Sequence, residues 1–195
     1  MGLNYFFKPV NLSEPAQERL SLALGEANRL ERLLREILLY AKPQQLQLTE
    51  LDINELIREM LNTVHSMPEA LGRQIKFSPA LTAIEVRGDK DKLKQVFINI
   101  VRNACEAVAE GDTVTWAVDN CIHSDQVCIQ IHNNGNPIPP DVLPRLTEPF
   151  YTTKSSGTGL GLAIVKRIVE AHGGELSIRS TAEDGTIVSV QLPII

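Results

Sequence analysis

A chain of 195 residues, 43% hydrophobic and 22% charged, has the composition of an ordinary globular protein, with length for one well-cored domain plus a smaller appendage. A formal net charge of -5 with no Lys/Arg run argues against a nucleic-acid partner, and no apolar run reaches membrane-spanning length. Three cysteines without a CxxC pair speak for reduced thiols and a cytoplasmic setting; because "MGLNYFFKPVNLSEPAQ" reads as the middle of something, a longer, membrane-anchored parent stays open.

The first predicted element is a helix over 14–41, with Pro15 tolerated in its first turn and Pro43 stopping it. Leu20, Ala23, Ala27, Leu30, Leu34, Ile37 and Ala41 alternate spacings of three and four, a heptad seam expected of a bundle or dimer helix. "AKPQQLQLTELDI" reads as a linker into a second helix from Asp52, whose apolar side carries Leu51, Ile53, Leu56, Ile57, Met60 and Leu61. "RQIKFSP" and "AIEVRGD" are strand-like. Asp89 caps a long helix expected to end at Gly111, and "TVTWAVDN" and "QVCIQIHNN" follow as two linked strands. The proline-rich stretch from Gly135 to Ser156 is too long for an ordinary connection and predicts a lid or binding loop. A last helix precedes the strands "GELSIRS" and "GTIVSVQLP". The expected fold is α+β, a two-layer sandwich of one mixed, mostly antiparallel sheet faced by helices, preceded by the heptad helix.

Two patterns carry chemistry. In "TTKSSGTGLGLAIVKRIVEAHGG", Gly157, Gly159 and Gly161 run straight into a helix. Glycines there let the main chain approach an anion at the unpaired N–H groups of the helix start, with the Thr158 hydroxyl and Lys154 charge nearby. No G-K-[ST] follows and no strand precedes, so this is neither a Walker loop nor a Rossmann fingerprint; alone, it leaves tight turns and close packing open. The second pattern is "QVFINIVRNACEA", where Asn99 and Asn103 share one face of an apolar helix. Buried amides there need partners, and an amide carbonyl is a suitable ligand for a Mg²⁺ shared with phosphates.

"NIVRNACEA", "HNNGNPIP", "EPFYTTK" and "GTGLGLAIVKRIVEAHGGEL" resemble, in order and spacing, the ATP-binding core of bacterial sensor histidine kinases, in the superfamily of Hsp90, gyrase B and MutL. The resemblance covers 46–195, and "LLREILLYAKP" looks like the second helix of those kinases' dimerisation and phosphoacceptor hairpin. It implies a Bergerat-type sandwich over 44–195, a partial hairpin over 1–43, ATP and Mg²⁺ as ligands, a response-regulator receiver domain as partner, and a homodimer through the heptad helix. By the same resemblance Asn103 holds Mg²⁺ and Asn99 lies near the phosphates. Related hydrolases carry a water-activating glutamate at the position of Asn99; an amide cannot serve as that base, which favours phosphoryl transfer to a side chain. Gly157, Thr158, Gly159, Leu160, Gly161 and Leu162 match the phosphate-binding glycine box. Phe150, Thr152, Thr153 and Lys154 match the lid, and Thr186 a threonine near adenine.

One box departs from the family's D-x-G-x-G-I, reading Asn133, Asn134, Gly135, Asn136, Pro137, Ile138. Asn133 still offers a carbonyl to the adenine amino group but without charge assistance, which weakens binding by about 1 kcal/mol. The phosphorylated histidine of the family precedes an acidic residue, whereas His65, His123, His132 and His172 precede Ser66, Ser124, Asn133 and Gly173. The expectation is therefore an acceptor upstream of this chain, with "MGLNYFF" ending the first hairpin helix, "KPVNLSEPAQ" forming the turn, and no autophosphorylation. His172 is expected to complement a helix C-terminus. The alternative is a nucleotide-sensing switch without phosphotransfer.

Overall fold

The computed structural model describes residues 13–41, 45–120, 125–154 and 157–195. Residues 1–12 of the segment expected to end one hairpin helix and turn into the next, together with Pro43 and His123, lie outside the described residues; Glu14 to Gln17, expected in that turn, belong to the first helix. The chain divides into two compact units, one to Leu39 and one over Tyr40–Ile195. Most of the first unit is α1, Glu14–Ala41, which runs about 42 Å at 1.5 Å per residue. Its seam residues Leu20, Leu30, Leu34 and Ile37 are exposed, while Glu31 and Arg35 pair one turn apart at 2.6 Å. Among the described residues no helix is long and apolar enough to cross a membrane.

The second unit contains β1 (Thr49–Asp52), α2 (Ile53–His65), β2 (Gln74–Ser78), β3 (Glu85–Gly88), α3 (Lys90–Glu106), β4 (Thr113–Asn120), β5 (Gln126–Asn133), α4 (Gly161–Ala171), β6 (Glu175–Thr181) and β7 (Gly185–Pro193). A five-stranded sheet in the order β2-β4-β5-β7-β6 has one parallel pair, β2 with β4; its other pairs are antiparallel. Strand alternation sorts its residues cleanly. Trp116, Ile131, Val188 and Ile178 form one cross-strand row, and Val118, Ile129, Val190 and Leu176 the next. Trp116 packs edge-on to Phe77 at 6.3 Å and against Phe97 of α3 at 5.5 Å, tying sheet to helix layer. The expected α+β fold is the one observed.

Two boundaries differ from the sequence expectation. Thr49–Asp52 lies within the presumed linker yet is a strand, because it pairs with β3 from Thr49↔Gly88 to Asp52↔Glu85, a partner some 35 residues away. The helix from Lys90 stops at Glu106, short of Gly111. Tertiary contacts end it there: Arg73 captures the Val108 carbonyl through Nε (3.3 Å) and Nη2 (3.1 Å), and Gly111 N–H donates to the Gly72 carbonyl at 2.7 Å.

Asp89 starts α3 and is 8% exposed. Burial pushes its carboxyl pKa up, but amides of Gln47, Lys92 and Asp91, with His172 nearby, pull harder, so the net shift is below the usual aspartate value. A depressed folded-state pKa contributes stability above the unfolded value near 3.8, lost as pH falls through the folded one. Both oxygens are used, Oδ1 by Asp91 and Lys92 and Oδ2 by Gln47. Asp89→Asn supplies one acceptor oxygen instead of two and is expected to cost about 1–2 kcal/mol at neutral pH. In urea unfolding the gap between variant and wild type narrows at acid pH; a gap independent of pH counts against this account.

Candidate functional site

The site grows from the pattern of α3. Leu93, Val96, Phe97, Ile100, Val101, Ala104 and Cys105 form its buried stripe. Asn99, Asn103 and Glu106, at spacings of four and three, follow a stripe that is not fully buried. There the Lys154 ammonium donates to Asn103 Oδ1 at 3.4 Å and pairs with the Glu106 carboxylate. Two oxygens from successive turns thus hold one cation delivered by the lid. An amide carbonyl and a carboxylate are hard oxygen donors of the kind Mg²⁺ takes, so the residues here fit that ion. The Asn99 side chain makes no hydrogen bond among the described residues.

The glycine loop is shaped against the lid. Gly159 has φ +70°, and a Cβ there would lie 2.4 Å from the Phe150 carbonyl carbon and 2.6 Å from Tyr151 N. Phe150 N–H donates to the Gly159 carbonyl at 3.0 Å, with Phe150 itself at φ 67° and its ring exposed. Lys154 touches the Gly157 position, and its N–H donates to Thr152 Oγ1 at 3.1 Å. Gly161 faces open space: a Cβ there meets nothing within 4 Å. At the start of α4 the cap position is Leu160, which supplies no side-chain cap. The Leu160 side chain is fully buried, and its N–H reaches the Thr158 hydroxyl at 3.4 Å. The first turn of α4 therefore presents main-chain N–H groups, partial positive charge and room for an anion.

A second cluster closes the sheet. On the helix-covered face the apolar rows give way to Val114, Asn133, Thr186 and Ser180, side by side on β4, β5, β7 and β6. Asn133 is 3% exposed and Thr186 6%. Asn133 Oδ1 accepts the Gly135 N–H at 3.1 Å, and Ser180 Oγ accepts the Ile138 N–H at 2.9 Å while lying 2.8 Å from Thr186 Oγ1. Gly135 lies against the Ala107 carbonyl, so this cluster adjoins the end of α3 that carries Glu106.

Contacts thus join Asn103, Lys154 and Gly157 at one end, Phe150 and Gly159 beside them, and Asn133, Gly135, Ile138 and Thr186 at the other. Thr153 is exposed and Leu162 half-buried, and neither makes a described side-chain hydrogen bond to another residue of this set. Glu106 and Ser180 also belong to these clusters; a glutamate three residues past Asn103 and a serine near a strand end carry no special signal in sequence. His172 lies elsewhere, capping α4: Nδ1 bonds the Ile168 carbonyl at 2.7 Å and Nε2 accepts the Asp89 N–H at 3.0 Å. Among the described residues no group of three or more His, Cys, Asp and Glu could hold a metal.

Residues 88–195 match the family described as Histidine kinase-, DNA gyrase B-, and HSP90-like ATPase. Sensor histidine kinase ZraS of Salmonella typhi is 33% identical over 191 residues, covering 98% of this chain and 41% of ZraS. Sporulation kinase A of Bacillus subtilis is 36% identical over 193 residues, 98% of this chain and 31% of that kinase. The chain therefore spans less than half the length of these relatives. Histidine kinase ThkA, solved in complex with response regulator protein TrrA, superposes with a TM-score of 0.78 at 30% identity, over 96% of this chain and 54% of ThkA. The nucleotide-free ThkA catalytic domain gives a TM-score of 0.68 at 32% identity, over 76% of this chain and 96% of that domain. Both asparagines of α3, the glycine loop and the uncapped start of α4 fall inside the matched span, and the chain belongs to this ATPase family as a sensor-histidine-kinase catalytic domain preceded by a long helix.

Proposed function

We propose that this chain is the nucleotide-binding catalytic part of a two-component sensor kinase, moving the γ-phosphoryl group of Mg-ATP to a histidine outside residues 1–195. The observation that carries this reading is the Lys154 ammonium seated between Asn103 and Glu106, beside a helix start with no capping side chain. Main-chain N–H groups from the Gly157–Gly161 loop and the first turn of α4 hold the phosphates. Asn103, with Glu106 one turn on, holds Mg²⁺, which when bound neutralises charge on the phosphate oxygens. Asn99, an amide, leaves water unactivated, so the chemistry is positioning and charge stabilisation for transfer to a side chain. The Gly135–Lys154 stretch, tied to the glycine loop through Phe150 and Gly159, closes over the nucleotide. A response-regulator receiver domain is the proposed downstream partner, by analogy with ThkA and TrrA. The exposed seam of α1 is the proposed dimer contact.

The test is calorimetric titration with ATP in the presence of Mg²⁺, followed by incubation with γ-labelled ATP with and without a histidine-bearing hairpin from a related kinase. Magnesium-dependent binding, an unlabelled chain and acid-labile label on the hairpin are expected. An empty site at millimolar ATP rejects the reading. Binding with no label on the hairpin points instead to a nucleotide-sensing switch.

A further inference from the structure

The five-stranded sheet has a second face, and strand alternation fixes what it carries. The helix layer packs on the first face, where Phe97 of α3 meets Trp116. One residue along each strand from the Trp116 row, the side chains point the other way: Ser78, Ala117, Gln130, Ser189 and Ser177. This row crosses all five strands with small side chains around one glutamine. On one side of it, Lys76 of β2 and Arg179 of β6 stand exposed in the next row. On the other side, Asp119 of β4 and Glu175 of β6 stand exposed in theirs.

Among the described residues none of these four charges makes a side-chain hydrogen bond or an ion pair. Charges elsewhere on this unit find partners within the chain: Lys90 and Lys94 share Glu59, and Lys166 lies 3.9 Å from Glu170. On the open face, Arg179 and Glu175 are about 13 Å apart along β6 and do not pair. Cations along one margin and anions along the other make the face complementary to itself, and only one two-fold packing uses that. With the axis along the strands, cations of one copy face cations of the other. With the axis across the strands, along the small-residue row, β6 lies antiparallel over β6 of the second copy. Arg179 of each copy then meets Glu175 of the other, and Lys76 meets Asp119 one strand over.

We propose that this face docks a second copy of the chain, sheet against sheet, through two reciprocal Arg179–Glu175 pairs. The small residues of the middle row let the sheets approach to about 10 Å. The contact is separate from the exposed seam of α1 and makes no use of the nucleotide site. Five strands about 4.8 Å apart and about five residues deep bury roughly 400 Å² per copy, about half of a standard interface. The association is accordingly weak and screened by salt, with a dissociation constant of about 0.1–1 mM at low ionic strength.

Sedimentation equilibrium over about 0.02–2 mM protein, at about 50 and 500 mM NaCl, tests this on wild type, Arg179→Glu, Glu175→Arg and the double exchange. Wild type is expected to show an association step that the higher salt weakens about tenfold. Each single exchange sets like charges together twice in the symmetric contact and is expected to weaken that step by about tenfold or more at low salt. The double exchange restores it to within about threefold of wild type. Because the single exchanges move the net charge in opposite directions, a loss common to both does not come from overall repulsion. Association through α1 is the same in all four proteins and cancels from the comparison. Lys76→Glu with Asp119→Lys repeats the test on the second pair of charges. Wild type without a salt-sensitive step up to about 2 mM overturns the proposal, whether or not the variants fold. So do single exchanges that leave the step unchanged or shift it in opposite directions, and a folded double exchange that fails to restore it.

Discussion

Gly161→Ala is expected to leave the protein as stable as wild type while raising its nucleotide dissociation constant by about thirtyfold, roughly 2 kcal/mol. A Cβ at Gly161 meets nothing within 4 Å, and the residue begins α4 with ordinary helical geometry. Alanine in such a place is neutral or stabilising by about 0.5 kcal/mol, through lower entropy of the unfolded chain. On the proposed reading, the new methyl would fill the space by which a phosphate oxygen approaches the amides of the first turn, so the loss is expected in binding alone. Gly159→Ala behaves oppositely. Its φ of +70° and a Cβ 2.4 Å from the Phe150 carbonyl carbon force the loop off the lid, at an expected cost of about 2–3 kcal/mol in stability. Thermal unfolding and nucleotide titration on both variants separate a packing glycine from a ligand glycine. Unchanged affinity in Gly161→Ala removes main-chain phosphate binding at this helix from consideration.

Asn103→Ala is expected to abolish the magnesium dependence of nucleotide affinity. On the proposed reading, Mg²⁺ would take the place of the Lys154 ammonium on Asn103 and Glu106, so wild-type affinity with Mg²⁺ is expected to exceed that in EDTA by a wide margin. Deleting the Asn103 carbonyl leaves a lone carboxylate that Lys154 already neutralises, and the two affinities converge. Outer-shell partners of metal ligands alone are worth 10- to 100-fold, so about 100-fold or more is expected here. The Asn103 side chain makes its one described hydrogen bond to Lys154, so the fold is not expected to suffer. Lys154→Met makes the complementary case: with the tethered cation gone, half-saturation with Mg²⁺ shifts to lower concentration at fixed nucleotide. An Asn103→Ala protein that still responds to Mg²⁺ as wild type does would show that the ion sits elsewhere.

Local features of the chain were enough for the long elements. The seam of α1, the apolar stripe of α3 and the alternation of β5 bury or expose residues at 3.6- or 2-residue periods, which any chain of that pattern shows before it meets a partner. Asn99, Asn103 and the three glycines stood out because amides inside an apolar helix and glycines before a helix conflict with local propensity. Positions that break a local rule draw attention to sites.

What required the folded molecule depended on residues far apart in the chain. Strand Thr49–Asp52 exists because β3 offers it hydrogen bonds, and α3 stops at Glu106 because Arg73 and Gly72 hold the turn beyond it. No spacing rule could bring Lys154 to Asn103 and Glu106 across about fifty residues, or line up Ser180 with Thr186 and Asn133. Nor did the composition of "HNNGNPIP" reveal that the Asn133 amide oxygen accepts the Gly135 N–H. Periodicity is a property of consecutive residues and survives in the sequence, whereas the direction of a hydrogen bond depends on a partner that only chain closure supplies.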